Sequence, residues 1–400
     1  MRISERARAI RPSPTLAIAA EAKARTARGE DIVGFGAGEP DFDTPEYVKR
    51  AAIRALEEGF TKYTPTAGIL ELRQAICEKL RAENRLDVSP EEVIVSCGAK
   101  QSLYNLFQAL LDPGDEVVVP SPYWVSYPDM IVLAGGRPVF AKAGEEDGFQ
   151  VTAGAIERAL TPRSRALVLN SPCNPTGSVL SRERLGEIAE LVAARPDLLV
   201  VSDDIYEQLI YSGEPFENLA SMRPALAERT VVVNGFSKTY AMTGWRIGYA
   251  AGPKELVAAM GRIQDQSTSN PTSFAQKGAL AALLGGAEGR AVLERMRTEF
   301  DRRRRRMLSL LREIPGVSCV EPLGAFYAFP NVEGLLGRRL EGRILATAVD
   351  LCQALLSRGV AAVPGEPFGA PGHLRLSFAL GMADLEKGVG RIARLGRDLS

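Results

Sequence analysis

Residues 234–248 read NGFSKTYAMTGWRIG and set one lysine, Lys238, eight positions before one arginine, Arg246, with Ser237 beside the lysine and glycines at 235, 244 and 248. The apolar β-formers Thr230 to Val233 lead into this segment, and a second strand-like run, Trp245 to Ala251, leads out of it. A lysine thus stands at the mouth of a buried strand. Burial there disfavours the ammonium and pushes its pKa down toward the free amine. The free amine is the form that condenses with a carbonyl. The alternative is a surface-loop lysine followed by an arginine that pairs with some carboxylate.

Outward from this segment, short Val/Ile/Leu runs alternate with helical patterns. The runs are Val93–Ser96, Glu116–Val119, Arg165–Leu169, Leu198–Ser202 and Val231–Val233; helices are expected near Gln101–Leu111 and Arg182–Ala194. Nearly continuous apolar strands separated by helices predict a largely parallel sheet covered on both faces, an α/β domain. Before it, Thr44-Pro45-Glu46 opens a helix that runs to Glu58 and stops at Gly59, and Ile69, Leu72, Ile76 and Leu80 mark an amphipathic one. A short helix, Leu16–Ala27, follows a basic arm. The segment DIVGFGAG at 31–38 looks superficially like a dinucleotide-binding turn, but Glu39 stands where the third glycine belongs and no helix opens there. After the sheet come helices near Pro253–Gln266, Ser273–Leu284 and Glu288–Glu313, strands at Val317–Val320 and Phe326–Phe329, a helix near Leu345–Arg358, strands at Val360–Val363 and His373–Phe378, and a last helix from Ala383. They form a smaller α+β module.

Composition excludes several classes of function. In 400 residues there are 49 basic and 49 acidic side chains, so no net charge favours nucleic acid or an anionic membrane. The run Arg302–Arg306 would wrap the whole circumference of a helix, and is read as making interdomain and solvent contacts. One histidine, His373, leaves no multi-histidine zinc site, and its alternating strand context reads as structural. Five scattered cysteines suit a reducing compartment, the N-terminus lacks an apolar leader core, and no run approaches the ~20 apolar residues of a membrane span. A cytoplasmic protein is expected.

In parallel α/β sheets, ligands bind at the loops after the strands' carboxyl ends. Those loops here carry Gly98-Ala99-Lys100 at a helix start, Trp124, Asn174, Asp203 with Tyr206, and Lys238 with Ser237 and Arg246. Singly, a turn asparagine, a capping aspartate or a core tryptophan explains each. Together they offer a phosphate clamp at a helix N-terminus, an aromatic plate, an amine nucleophile, a carboxylate and a phenol. That set describes pyridoxal 5′-phosphate, whose pyridine nitrogen must be kept protonated to draw electrons.

Nine motifs in order carry a resemblance over essentially the whole chain: GEPDF (38–42), KYTPTAG (62–68), GAKQ (98–101), SPYWVSYP (121–128), NSPCNPTG (170–177), SDDIYE (202–207), SKTYAMTGWRIGY (237–249), GAFY (324–327) and HLRLSFA (373–379). The sequence resembles the fold-type-I pyridoxal-phosphate enzymes, specifically class I aminotransferases of the bacterial aspartate aminotransferase branch. The resemblance implies a seven-stranded, mostly parallel sheet between helices in a large domain (45–290), a small α+β domain (291–400), and an N-terminal arm (1–44) contributing to the latter. It implies that Lys238 attaches the cofactor and moves the proton at substrate Cα, that Asp203 faces the pyridine nitrogen, that Tyr206 and Asn174 bond its phenolic oxygen, and that Trp124 stacks on its ring. Arg246, Ser237 and the Gly98-Ala99-Lys100 amides would form the phosphate cup, and Tyr63 would reach the phosphate of a neighbouring subunit, so a homodimer with shared sites is expected. Arg375 would fork the substrate α-carboxylate, and Gly38 would contact substrate through its backbone, beside Trp124 and Asn174.

Two positions bear on strength and specificity. Gly235 stands where many relatives carry a serine that helps bind phosphate. Lys100 matches a lysine that faces the distal carboxylate of aspartate or glutamate. The expected reaction is L-aspartate plus 2-oxoglutarate to oxaloacetate plus L-glutamate, by a ping-pong route. The alternatives are amination of prephenate, for which Arg11 is a candidate basic residue, a neutral or aromatic amino-acid aminotransferase, or a β-lyase. A non-catalytic ligand-binding protein on the same scaffold is disfavoured by the intact lysine.

Overall fold

Seven runs pair into one sheet: β1 (Val93–Ser96), β2 (Glu116–Ser121), β3 (Arg137–Lys142), β4 (Ser164–Asn170), β5 (Leu199–Asp203), β6 (Thr230–Gly235) and β7 (Gly248–Ala251). The computed structural model describes residues 2–10 and 14–400; Arg11 lies outside them. The sheet order is β1-β7-β6-β5-β4-β2-β3, with β7 antiparallel to both neighbours and the other pairings parallel. Successive side chains alternate between faces. Val93, Val95 and Val232 pack with Leu72, Ile76 and Ala279 on one side, while Ile94, Val231 and Val233 pack with Leu103, Leu106 and Met260 on the other. Both faces are dry, which is why these strands read as unbroken apolar runs rather than alternating ones. Each fully buried Val, Leu or Ile stabilises by about 1.5–3 kcal/mol.

A separate core forms around Phe300, Phe326, Leu351, Leu376, Phe378 and Leu385, under the helices Gly286–Arg312, Ala348–Ser357 and Met382–Asp398. Its strands are short: Val363–Pro364, Leu374–Ser377 and Tyr327–Ala328 make one antiparallel sheet. Val33 and Phe35 join this core, and Val33–Gly34 pairs in parallel with Val360–Ala361, so the N-terminal arm is stitched to the C-terminal third of the chain. Ile205, Tyr206 and Leu209, from the loop after β5, also belong to it. The five consecutive arginines each face a carboxylate: Arg302 meets Glu299, Arg303 meets Glu299 and Asp41, Arg304 meets Asp301 and Glu321, Arg305 meets Asp301, and Arg306 meets Glu386.

Three of the departures from the expected strands are instructive. The run Val317–Val320 is not a strand and makes only a single bridge, Ser318 to Asn331. The strand expected from Trp245 begins at Gly248, because Thr243–Trp245 winds into a 3-10 turn and Arg246 takes a left-handed backbone with φ of 53°. The edge strand β3 has no strong apolar run, since it pairs on one side only and most of its side chains are half-buried or exposed.

Candidate active site

Five loops at the carboxyl ends of the parallel strands, together with the arm and Arg375, enclose a cavity of about 610 Å³. That lies within the range of small-molecule sites. Gly38, Ala99, Lys100, Trp124, Asn174, Asp203, Tyr206, Ser237, Lys238, Arg246 and Arg375 all line it. Gly98 caps the helix Ala99–Leu110 at its edge. Tyr63 does not line the cavity, and its side chain is 92% exposed.

The helix Ala99–Leu110 begins two residues earlier than its sequence pattern predicts, which brings the first two backbone amides to the cavity wall. Amides at these positions have no partner inside the helix and suit an anion. Gly98 makes the turn at φ of +90°, and a Cβ there would meet an Arg246 guanidinium nitrogen at 2.5 Å. Glycine is therefore needed both for the turn and for the arginine to reach the helix start. Arg246 donates to the carbonyls of Thr243 and Cys97 and has no acidic partner among the described residues. Gly235 packs closely on Gly248 and Ile205, so an added Cβ would need its neighbours to give by a few tenths of an ångström.

Lys238 sits on the cavity floor, its ammonium donating to the Gly38 carbonyl. Burial pushes its pKa down to about 8; Arg375 and Arg246 act in the same direction, and Glu39 and Asp203 oppose them. Because the unfolded chain then holds a proton that the folded one has released, stability in this group's favour rises with pH from about 8 to the ordinary 10.5. Asp203, at the end of β5, accepts from the Tyr127 hydroxyl and, at 3.4 Å, from the Ile205 amide. Burial raises its carboxyl to about 6 against those hydrogen bonds. An adjacent cation would draw it back down to the carboxylate.

Tyr206 meets the Tyr327 hydroxyl at 2.9 Å. Arg375, 3% exposed, donates to Asn174 Oδ1 at 3.1 Å and to the Gly36 carbonyl at 2.9 Å, and its guanidinium carbon lies 4.6 Å from the Tyr327 ring centre. Its Nε has no partner, and it pairs with no carboxylate among the described residues. A buried guanidinium with an idle donor is a costly arrangement that a planar carboxylate ligand satisfies. Lys100 pairs with no acid either; its ammonium lies 4.9 Å from the Trp124 ring centre, and burial, helped by Arg246, lowers its pKa. The lining holds the cations Lys23, Lys100, Lys238, Arg246 and Arg375 against the acids Glu39 and Asp203. The cavity is built for an anionic ligand.

Three contributors had no assigned role in the sequence reading. Tyr127 lies inside the SPYWVSYP motif and Tyr327 inside GAFY, but only the fold aims them at Asp203 and Tyr206. Asn170 holds the β4 and β5 ends together, donating to the Asp203 carbonyl and accepting from the Asn174 amide.

Comparison with known proteins agrees with this geometry. The family model described as aminotransferase class I and II matches residues 30–392. An aspartate/prephenate aminotransferase of Nitrosomonas europaea is 48% identical over 398 residues, covering 99% of this chain and 100% of that protein. The aspartate aminotransferase of Bacillus subtilis is 45% identical, with 98% of each covered. Among solved structures, the aspartate aminotransferase of Rhizobium meliloti superposes with a TM-score of 0.96 at 42% identity over 100% of both chains, and that of Thermus thermophilus with maleate with 0.93 at 48% identity over 99% and 100%. The chain has the mostly parallel α/β sheet of these enzymes, is itself an aminotransferase, and belongs to the class I and II aminotransferase family.

Proposed function

We propose that this aminotransferase works with pyridoxal 5′-phosphate and moves the amino group of L-aspartate to 2-oxoglutarate, giving oxaloacetate and L-glutamate in two half-reactions. The observation that carries the reading is Arg375, a buried guanidinium with an idle Nε and no acidic partner among the described residues. The residues present fit the cofactor. The Gly98-Ala99-Lys100 turn, Ser237 and Arg246 would hold its phosphate, Trp124 its ring face, and Asn174 and Tyr206 its phenolic oxygen. When bound, the cofactor supplies an electrophilic carbon for the amino group and a protonated ring that draws electrons.

The chain's own groups do the rest. Lys238, already biased toward the free amine, takes the proton from substrate Cα. Asp203 keeps its negative charge once a cationic nitrogen lies beside it, and Tyr127 orients it. Arg375 fixes the α-carboxylate in a forked pair. Gly38, in the same lining, would contact the substrate through its backbone. Lys100 faces the distal carboxylate, a reading supported by the Thermus relative, whose structure was solved with the dicarboxylate maleate.

Tyr63 would serve the site of a second subunit in a homodimer; its near-complete exposure, together with exposed Ile53, Leu56, Leu70 and Leu284, supports that reading. The large domain is taken as residues 45–290 and the small one as 291–400 with the arm 1–44. Five free cysteines support a cytoplasmic setting, and no helix among the described residues is long and apolar enough to cross a membrane. Prephenate as an acceptor is a second reading, favoured by the Nitrosomonas relative's name.

The test is a panel of amino acids added singly to the cofactor-loaded enzyme, read by its visible absorption. Aspartate should convert the bound cofactor fully without an acceptor, and 2-oxoglutarate should restore it. Conversion by alanine or phenylalanine in preference to aspartate would overturn the assignment.

A further inference from the structure

Behind the cavity, on the far side of the loop that carries Tyr206, lies a buried polar cluster that lines no part of the site. Its centre is Glu207, whose side chain is 3% exposed. One carboxylate oxygen takes the ammonium of Lys79 and, at 2.8 Å, the amide of Asn234; the other takes the amide of Asn84 at 2.7 Å. Lys79 is itself 9% exposed; it also donates to Asn84 Oδ1 at 2.7 Å and lies 3.6 Å from Glu83. Asn234 turns its own oxygen to the Gly235 amide at 2.7 Å.

Three segments therefore meet at one carboxylate. Glu207 follows Tyr206 directly and sits four residues after Asp203; Asn234 is the next-to-last residue of β6, four residues before Lys238; Lys79 and Asn84 belong to the helix Leu70–Asn84. The Asp204 amide also bonds the Val233 carbonyl at 2.9 Å, so the two loops are joined by backbone as well. A buried ion pair gives little net stability over two apolar side chains of similar size, because desolvation of both charges offsets their attraction. What it does give is one preferred arrangement of the segments it joins. Here those segments carry the phenol, the carboxylate and the amine of the site.

We propose that Glu207 is a positioning residue for transamination: through Asn234 and Lys79 it fixes the spacing between the loop bearing Asp203 and Tyr206 and the loop bearing Lys238. The inference rests on the pyridoxal-phosphate reading above. Glu207 touches neither substrate nor cofactor and acts through its neighbours.

The experiment uses the cofactor-loaded enzyme and three variants, Glu207→Gln, Glu207→Asp and the double variant Lys79→Leu/Glu207→Leu. It measures kcat and KM for aspartate, the melting temperature, and the pH midpoint of the cofactor's visible absorption, which reports on the lysine. Glu207→Gln should lower kcat by about 10-fold with KM within about 2-fold and move the pH midpoint by about half a unit. The double variant should melt below the parent, because the buried amides of Asn84 and Asn234 lose their acceptor, and should keep the lowered kcat and the moved midpoint. Glu207→Asp, which retains the charge with a shorter reach, should lie between parent and Glu207→Gln. A double variant that regains both stability and kcat, or a Glu207→Gln enzyme with the parental kcat and midpoint, would overturn the proposal; if the double variant does not fold, the Glu207→Gln midpoint decides. A parent enzyme that fails to turn over aspartate would instead count against the functional reading on which the proposal stands.

Discussion

The run Arg302–Arg306 and the cavity cations Arg246, Arg375 and Lys100 are two positively charged regions with opposite bookkeeping. Every arginine of the run has a carboxylate within 2.9 Å. None of the three cavity cations has one among the described residues, although Arg375 is as buried as any of the five. Charges that the fold needs are neutralised by the fold; charges that a ligand needs are left waiting. A dense cationic motif is therefore a poor guide to function, and an isolated buried cation with idle donors is a good one.

The comparison can be broken most severely at Arg375. Arg375→Ala should lower kcat/KM for aspartate by about 10³-fold, the scale of losing a buried hydrogen-bonded charge pair, with the fold intact by circular dichroism. Arg375→Lys should recover little of it, since an ammonium cannot fork a carboxylate. The mirror image is Arg304, 5% exposed and paired with Asp301 and Glu321. Arg304→Ala should cost about 3 kcal/mol of unfolding free energy, with kcat for the folded fraction near parental.

Smaller effects sharpen the same contrast. Lys100→Ala should raise KM for aspartate by about 10-fold, the scale of one partly exposed charge contact, and leave a neutral amino acid nearly unaffected; equal effects on both substrates would remove Lys100 from the distal-carboxylate site. Arg305→Ala, in the exposed part of the run, should change stability by less than about 1 kcal/mol and leave turnover untouched.

Much of the site was legible because the sheet announces itself. Apolar runs such as Val93–Ser96 and Val231–Val233 name the strands, and the rule that ligands sit beyond their carboxyl ends selects Asp203, Asn174 and Lys238 without any contact being known. What was hidden was of two kinds. Edge structure was missed, as at Arg137–Lys142, because a strand paired on one side carries polar side chains and no continuous apolar signal. Partnerships were missed because they join distant segments: Tyr127 to Asp203, Tyr206 to Tyr327, and Lys79 to Glu207, which lie 76, 121 and 128 residues apart. No local periodicity reports such a pairing. The left-handed Arg246 shows the same limit within residues 234–248, where the strand-like run from Trp245 begins with a turn that aims the guanidinium at the helix start.

Lys238 is the group on which every other role in the cavity depends. The most direct measurement is to load the purified protein with pyridoxal 5′-phosphate, reduce it with borohydride, and map the attached phosphopyridoxyl group by peptide mass spectrometry. One stoichiometric label is expected, on Lys238, absent from Lys238→Ala. A label carried by another lysine, or equal labelling of the alanine variant, would contradict it.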